Sequence, residues 1–144
     1  MTVRTILKAK GSSVVTSLAK ANLQRISQLI AQYRIGAVVI VDDEGHPQGI
    51  VSERDIVNAL SAFGAAALDM AAEEVMSRAL LTCTPEHTAE DLLSMMTNSR
   101  VRHLPVVVEG RLVGIISIGD VVKRKLDEAA AEVGMLRDYV MAGR

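Results

Sequence analysis

GIVSERDIVNAL, at residues 49–60, occurs a second time in this chain as GIISIGDVVKRKL, at residues 114–126. Three pairs of identical residues stand 65 positions apart in the two copies: Gly49 and Gly114, Ser52 and Ser117, and Asp55 and Asp120. The apolar positions that flank these residues also match between the copies. The chain therefore contains an internal repeat.

Each copy predicts a buried strand that runs directly into a helix. An apolar pair is followed by a Ser, and an Asp comes three residues later. A Ser at this point can cap the helix by accepting a hydrogen bond from a free backbone N–H group. The same helix N-terminus can hold a phosphate group. Capping alone and ligand binding are therefore two open explanations of the repeated Ser and Asp.

The composition predicts a protein with an aliphatic core and no nucleic-acid partner. Of the 144 residues, 49% are apolar, yet the aromatic residues are only two Tyr and one Phe. The net charge is −1, with no basic or acidic block. A partner held through nucleic-acid phosphates would require a basic surface, and proteins that bind single strands use stacking aromatics.

The sequence predicts neither export nor membrane insertion. Residues 1–13 lack the apolar core of a signal peptide. The longest uninterrupted apolar run, residues 37–41, is far too short to cross a bilayer. We therefore expect a cytoplasmic protein without a membrane partner.

No pattern typical of catalysis or metal binding is found in the sequence. It has no P-loop and no GxGxxG, GxSxG or HExxH motif. Cys83 is the only cysteine and lies in an apolar stretch, which is typical of a small buried residue. We therefore expect no enzyme activity, no catalytic residue and no metal site.

The first half of the chain predicts the order strand, helix, strand, strand, helix. Residues 3–7 come before it as a short helical or extended segment. The predicted strands are residues 14–17, 37–41 and 48–51, and the predicted helices are residues 23–33, capped by Asn22, and 54–63. The apolar residues predicted to turn the last helix towards the core are Ile56, Val57, Leu60 and Phe63.

The second half repeats this order after residues 64–74, an Ala-rich and acidic stretch that is typical of a linker. The predicted strands are residues 80–82, 104–108 and 111–116, and helices are predicted to end near Ser99 and to start after Ser117. One such unit is too small to bury both faces of its sheet, so two must pack together. We expect modules at residues 1–68 and 69–128 and a helical extension at residues 129–144.

The stretches GAVVIVDDEGHPQGIVSERDI, residues 36–56, and RHLPVVVEGRLVGIISIGDV, residues 102–121, resemble cystathionine-β-synthase (CBS) domains. The resemblance covers about residues 3–126 and is to a stand-alone tandem pair. It implies an α/β (α+β) fold in which two β-α-β-β-α modules pack as a pseudo-two-fold disc. Two clefts are expected between the modules.

The resemblance also implies a regulatory function that requires no cofactor and involves no catalysis. In the family the clefts often bind adenosine derivatives, namely AMP, ADP, ATP, S-adenosylmethionine or dinucleotides such as NAD. Pairs of discs commonly form homodimers. The alternative is a non-catalytic interaction or dimerisation module with vestigial clefts.

The residues implied as ligand contacts fall into three groups. The Asp of each Ser–Asp motif corresponds to the family's ribose-binding carboxylate, and the Ser to its phosphate-binding hydroxyl. The Thr residues follow the short strands whose backbone reads adenine, and the second hairpin opens with basic residues that can reach phosphate. The full set is Thr16, Ser52, Arg54, Asp55, Thr82, Thr84, Arg102, His103, Leu104, Pro105, Ser117 and Asp120.

The two clefts are expected to differ in affinity. The second hairpin opens with Arg102 and His103. The first hairpin has Gly36 and Ala37 at those positions, so no basic group enters the first cleft from there. Arg54, within the first Ser–Asp motif, can compensate in part. A cleft without ligand is an open outcome for one of the two, and the sequence does not fix which residues face which cleft.

An apolar stripe continues into the C-terminal tail beyond the resemblance. Its members are spaced by 4, 3, 4, 3 and 4 residues: Val122, Leu126, Ala129, Val133, Leu136 and Val140. This spacing is typical of a helix that packs along another helix. We expect the stripe to lie against a second subunit. The alternatives are that it folds back onto its own disc, or that the helix breaks at Gly134.

Overall fold

Helix α1 (Val3–Lys10) comes before the first repeat unit in the computed structural model, which describes residues 1–143. The first unit consists of β1 (Thr16–Leu18), α2 (Leu23–Tyr33), β2 (Ala37–Val41), β3 (Pro47–Ser52) and α3 (Glu53–Phe63). A 3₁₀ helix (Gly64–Asp69) and α4 (Ala72–Val75) connect it to the second unit. The second unit consists of α5 (Ala89–Ser99), β4 (His103–Val108), β5 (Arg111–Ser117) and α6 (Ile118–Ala142). The predicted α+β fold of two repeated modules is confirmed.

Each unit is built on an antiparallel hairpin, but only the first has a complete third strand. β1 pairs in parallel with β2, and β2 pairs with β3. In the second unit the strand predicted at residues 80–82 is absent, and a single parallel bridge joins Cys83 to Val106. In the first unit the Val39 N–H group donates to the Val15 carbonyl. The equivalent of Val39 is Pro105, which has no N–H group to donate, so the ladder does not extend over residues 80–82.

The first core encloses β2, which is buried on both faces as predicted. Val38, Val39 and Ile40 are fully buried. The apolar face of α2 packs on this strand through Leu23 and Ile26. Asn22 caps α2 as predicted, because its side chain accepts a hydrogen bond from the Arg25 N–H group at 2.9 Å.

Residues 64–74 are not a linker, contrary to the sequence-based prediction. Ala67 and Ala72 are fully buried in the first core. The backbone is also fixed, since the Ala72 N–H group donates to the Ala21 carbonyl at 2.7 Å. Small Ala side chains allow this segment to approach the core closely, and their composition alone resembles that of a flexible connection.

The second core includes the N-terminal helix of the chain. Val3 and Ile6 of α1 are buried together with Leu92, Leu104 and Ile116. The Val3 N–H group donates to the His87 carbonyl at 2.9 Å. Residues 3–10 therefore pack on the second unit, whereas the module boundaries after residues 68 and 128 remain a prediction.

Of the four residues of α3 predicted to face the core, only Ile56 is buried. Ile56 and Ala59 are buried, whereas Val57 and Phe63 are 62% and 59% exposed and Leu60 is 38% exposed. The buried and exposed residues occupy neighbouring stripes of the same helix. The core-facing stripe is therefore narrow, and the second stripe leaves an apolar surface uncovered.

Helix α6 continues through Gly134 without a break and leaves its apolar stripe exposed. The side chains of Val133, Leu136 and Val140 are 54%, 65% and 53% exposed. The stripe therefore does not fold back onto its own chain, which contradicts that alternative. No helix within residues 1–143 combines the length and apolar content needed to cross a membrane.

Candidate ligand-binding cleft

The repeated Ser and Asp form reciprocal helix caps in both units. The Asp55 N–H group donates to Ser52 Oγ at 3.3 Å, and Asp55 Oδ2 accepts from the Ser52 N–H group at 2.8 Å. Ser117 and Asp120 repeat the pair at 3.1 Å and 2.8 Å. These are capping boxes in which Asp replaces the usual Glu. Capping therefore explains why both residues recur. It uses one oxygen of each carboxylate, Oδ2, as a hydrogen-bond acceptor.

A third capping box shows that this motif alone does not mark a ligand site. At the start of α5 the Asp91 N–H group donates to Thr88 Oγ1 at 3.1 Å, and Asp91 Oδ2 accepts from the Thr88 N–H group at 2.8 Å. Neither residue lines the cavity described next. A functional assignment of Ser52 and Asp55 must therefore depend on what surrounds them.

The Ser–Asp motif of the first unit opens into a cavity of about 370 Å³ that both units line. The walls from the first unit are Gly36, Ile50, Ser52, Glu53, Arg54 and Asp55. The second half of the chain contributes Ser77, Ala79, Leu80, Leu81, Arg100, Val101, Arg102, His103 and Pro105. Hydroxyl, carboxylate and guanidinium groups thus face an opening with apolar walls, as is typical of a small-molecule site.

The basic residues that open the second hairpin lie in the same cavity as the Ser–Asp motif of the first unit, an arrangement that the sequence left open. Arg102 and His103 line the cavity together with Asp55. A Cβ atom on Gly36 would lie 2.9 Å from His103 Nε2. The absence of a side chain at Gly36 therefore makes room for the imidazole and does not weaken this cleft.

The imidazole of His103 is held neutral at pH 7. Burial lowers the pKa of His103 below its usual value, although the nearby carboxylates of Asp120 and Glu53 act in the opposite direction. Lys10 and Arg102 add to the lowering. At neutral pH the permanent positive charge beside Asp55 thus comes from the arginines.

The lowered pKa of His103 predicts a pH dependence of stability. Below about pH 6.5 the unfolded chain binds a proton at His103 more readily than the folded chain, so the free energy of unfolding falls as the pH decreases. We expect this loss between pH 7 and pH 5.5 to be smaller in His103→Gln. Urea denaturation at both pH values measures it. Equal losses in the two proteins would contradict the assignment.

The carboxylate of Asp120, in the second Ser–Asp motif, is held in an ion pair that the sequence did not reveal. Lys10 Nζ lies 2.7 Å from Asp120 Oδ2 and donates to the Ile115 carbonyl at 2.8 Å. Leu7 covers Gly114. A Cβ atom on Gly114 would lie 2.8 Å from Leu7 Cδ2. Burial by itself raises the pKa of Asp120, but Lys10 and the Ser117 N–H group outweigh it and hold the pKa below its usual value.

Asp55 differs from Asp120 because no basic group in residues 1–143 forms an ion pair with it. Its recorded hydrogen bonds, from the Ser52 N–H and hydroxyl groups, both reach Oδ2. The other carboxylate oxygen is thus available to a ligand. The two Ser–Asp motifs therefore differ: the first opens into a cavity lined by arginines, and the carboxylate of the second is paired with Lys10.

The remaining predicted contacts are dispersed. Leu104 is fully buried in the second core and offers no surface to a ligand, which corrects its assignment. Thr16 and Thr84 are exposed and Thr82 is half-buried, and within the described residues none of the three lines the cavity. Ser117 and Asp120 lie outside it as well.

Arg100 is the cavity residue that sequence reasoning missed most clearly. It ends α5 in the left-handed conformation, with φ of 53°. The only hint in the sequence is that Arg34 occupies the equivalent position, 66 residues earlier. Arg34 ends α2 with the same φ of 53°.

Nothing in residues 1–143 groups three His, Cys, Asp or Glu side chains closely enough to hold a metal ion. Burial raises the pKa of the Cys83 thiol to about 12. A thiol with this pKa carries almost no thiolate at neutral pH and is a poor nucleophile.

Comparison with known proteins agrees with this geometry. The family model described as "CBS domain" matches residues 11–62 and 72–127. A curated relative, the mitochondrial CBS domain-containing protein CBSX3 of Arabidopsis thaliana, is 29% identical over 151 aligned residues, covering 99% of this chain and 73% of the relative.

Solved structures share the fold over most of the chain. A CBS-domain containing protein from Agrobacterium tumefaciens is 39% identical and superimposes with a TM-score of 0.84, covering 87% of this chain and 99% of that one. The CBS domain pair of protein MJ0100, described in complex with 5′-methylthioadenosine and S-adenosyl-L-methionine, has a TM-score of 0.80 at 22% identity. The superposition covers 89% of this chain and 98% of the MJ0100 chain.

Proposed function

Because this chain belongs to the CBS domain family and carries the domain twice, we propose that it is a non-catalytic sensor of an adenosine-containing ligand. The observation that carries the proposal is the first cleft. There Ser52 and Asp55 face Arg102 and His103 across one cavity to which both modules contribute. The ligand class includes AMP, ADP, ATP, S-adenosylmethionine and NAD.

The cavity offers a complementary group for each part of such a ligand. The uncommitted oxygen of Asp55 accepts hydrogen bonds from the two hydroxyl groups of a ribose. Ile50, Leu80 and Leu81 provide apolar walls for the base. Arg102 and the N-terminus of α3 attract a phosphate. The volume of about 370 Å³ falls within the range of small-molecule sites.

Sensing follows from the position of the cleft between the modules. A ligand that touches Asp55 on one module and Arg102 on the other binds most tightly to one relative arrangement of the two. Ligand binding therefore shifts the population towards that arrangement. The second Ser–Asp motif contributes less to this response because Asp120 is already paired with Lys10.

We further propose that the sensor is a homodimer formed through residues 129–144 beyond the second module. The stripe on α6 leaves Leu126, Val133 and Leu136 more than half exposed. A surface of this kind is typical of a protein–protein contact. The same exposed residues favour the second candidate function, a dimerisation module whose cleft is vestigial.

Ligand binding is expected to raise the melting temperature of the full-length protein. At a ligand concentration of 100 times Kd the gain is about 2.7 kcal/mol, which corresponds to about 5 to 10 °C. Differential scanning fluorimetry with AMP, ADP, ATP and S-adenosylmethionine at up to millimolar concentrations measures it. An unchanged melting temperature with all four compounds would favour the dimerisation module instead.

A further inference from the structure

A second, smaller compartment adjoins the candidate cleft. Its volume is about 240 Å³, and it shares Arg54, Arg100, Val101 and Arg102 with the first cavity. Its own walls are Met96, Thr97 and Ile118. We call it the arginine compartment, after Arg54, Arg100 and Arg102. Because the two cavities share these walls, a ligand seated at Asp55 can extend into it.

The charge of the arginine compartment is unbalanced. Three guanidinium groups line it, and no carboxylate does. In residues 1–143 no Asp or Glu oxygen lies within ion-pair distance of Arg54, Arg100 or Arg102. The three arginines are solvent-exposed, and their guanidinium groups are free to pair with a multiply charged anion.

Arg100 also occupies its position at a conformational cost. A left-handed φ of 53° favours Gly at the end of a helix, because a side chain with a Cβ atom is strained there. Arg34 has the same backbone conformation but lies outside both cavities. It therefore provides a matched reference for the strain alone.

We propose that the arginine compartment binds the terminal phosphates of a ligand, so that the first cleft prefers adenosine di- and triphosphates over AMP. The inference extends the proposed function, since it takes the adenosine part to lie at Asp55. The guanidinium groups match phosphate oxygens bidentately and repel a cation. S-adenosylmethionine, whose sulfonium is positively charged, is therefore a weaker ligand than ATP.

The test compares Arg100→Gly with Arg34→Gly in the full-length chain. Both substitutions relieve the same strain, so both proteins are expected to fold and to melt about 2 to 4 °C higher than the wild type. Calorimetry without divalent cations measures the binding of adenosine, AMP, ATP and inorganic tripolyphosphate. Arg100→Gly is expected to weaken ATP and tripolyphosphate binding about 10- to 100-fold, the scale of losing one charged phosphate contact.

The pattern of losses separates this inference from the proposed function. Two further results are required for support. Arg34→Gly must retain wild-type affinity for ATP. Adenosine binding must change less than about threefold in Arg100→Gly, because adenosine carries no phosphate. Equal affinities of the wild type for AMP and ATP would overturn the inference and leave the adenosine sensor intact. Arg100-dependent binding of tripolyphosphate without any binding of adenosine compounds would support the arginine compartment and overturn the sensor. No binding of any of the four compounds would overturn both.

Discussion

A chain that ends after Glu128 is expected to be a monomer at concentrations where the full-length protein is a dimer. Removing the rest of α6 deletes Val133, Leu136 and Val140, each more than half exposed. It removes no residue of either core, whose last member is Val121. The truncated chain should therefore keep its fold and lose only the surface that we assign to the interface.

Light scattering of both proteins measures this change, and point substitutions in the complete chain control for it. Leu136→Glu with Val140→Glu places two charges on the stripe and should also give a monomer, because burying an unpaired charge is costly. Ala131→Glu lies on the opposite side of the helix and should leave the dimer intact. A truncated dimer as tight as the full-length one would show that residues 129–144 do not form the interface.

Local features of the fold could be predicted from the sequence because neighbouring residues determine them. The cap at Asn22 and the strand at residues 37–41 depend on spacing within a few residues, and both are found where predicted. Residues 64–74 were mistaken for a linker because Ala-rich composition does not distinguish a flexible segment from one that packs closely. The structure resolves this through the burial of Ala67 and Ala72.

The site was less predictable because residues far apart in the chain form it. Lys10 and Asp120 are separated by 110 positions, and no spacing rule connects them. The approach of His103 to Gly36 depends likewise on how the two modules face each other. Sequence comparison within the repeat therefore could not fix which Ser–Asp motif Arg102 and His103 lie beside.

Capping at the Ser–Asp motif does not exclude the ligand role that we propose for Asp55. Oδ2 of Asp55 caps α3. It accepts hydrogen bonds from both the N–H group and the hydroxyl group of Ser52. The second oxygen remains for a ligand. Thr88 and Asp91 form the same cap away from the cavity and therefore provide a control for the proposed ligand role.

Asp55→Ala is expected to weaken the binding of an adenosine ligand by about 1 to 3 kcal/mol, or about 5- to 150-fold, the scale of a lost charged hydrogen bond. Asp120→Ala should weaken it less, since Lys10 already occupies that carboxylate. Asp91→Ala is the matched control, because it removes an equivalent cap outside the cavity. All three variants should lose up to about 1 kcal/mol of stability from the cap, but only the Asp55 variant should lose most of its affinity.

Calorimetric titration of the three variants with AMP and ATP decides between the clefts. A loss confined to Asp120→Ala would mean that ligand displaces Lys10 and that the second cleft is the principal site. Equal affinity in Asp55→Ala and Asp91→Ala would remove the ribose role from Asp55. A loss in Asp55→Ala alone would place the ligand in the first cleft. The carboxylate that caps α3 would then also be the one that binds the ribose.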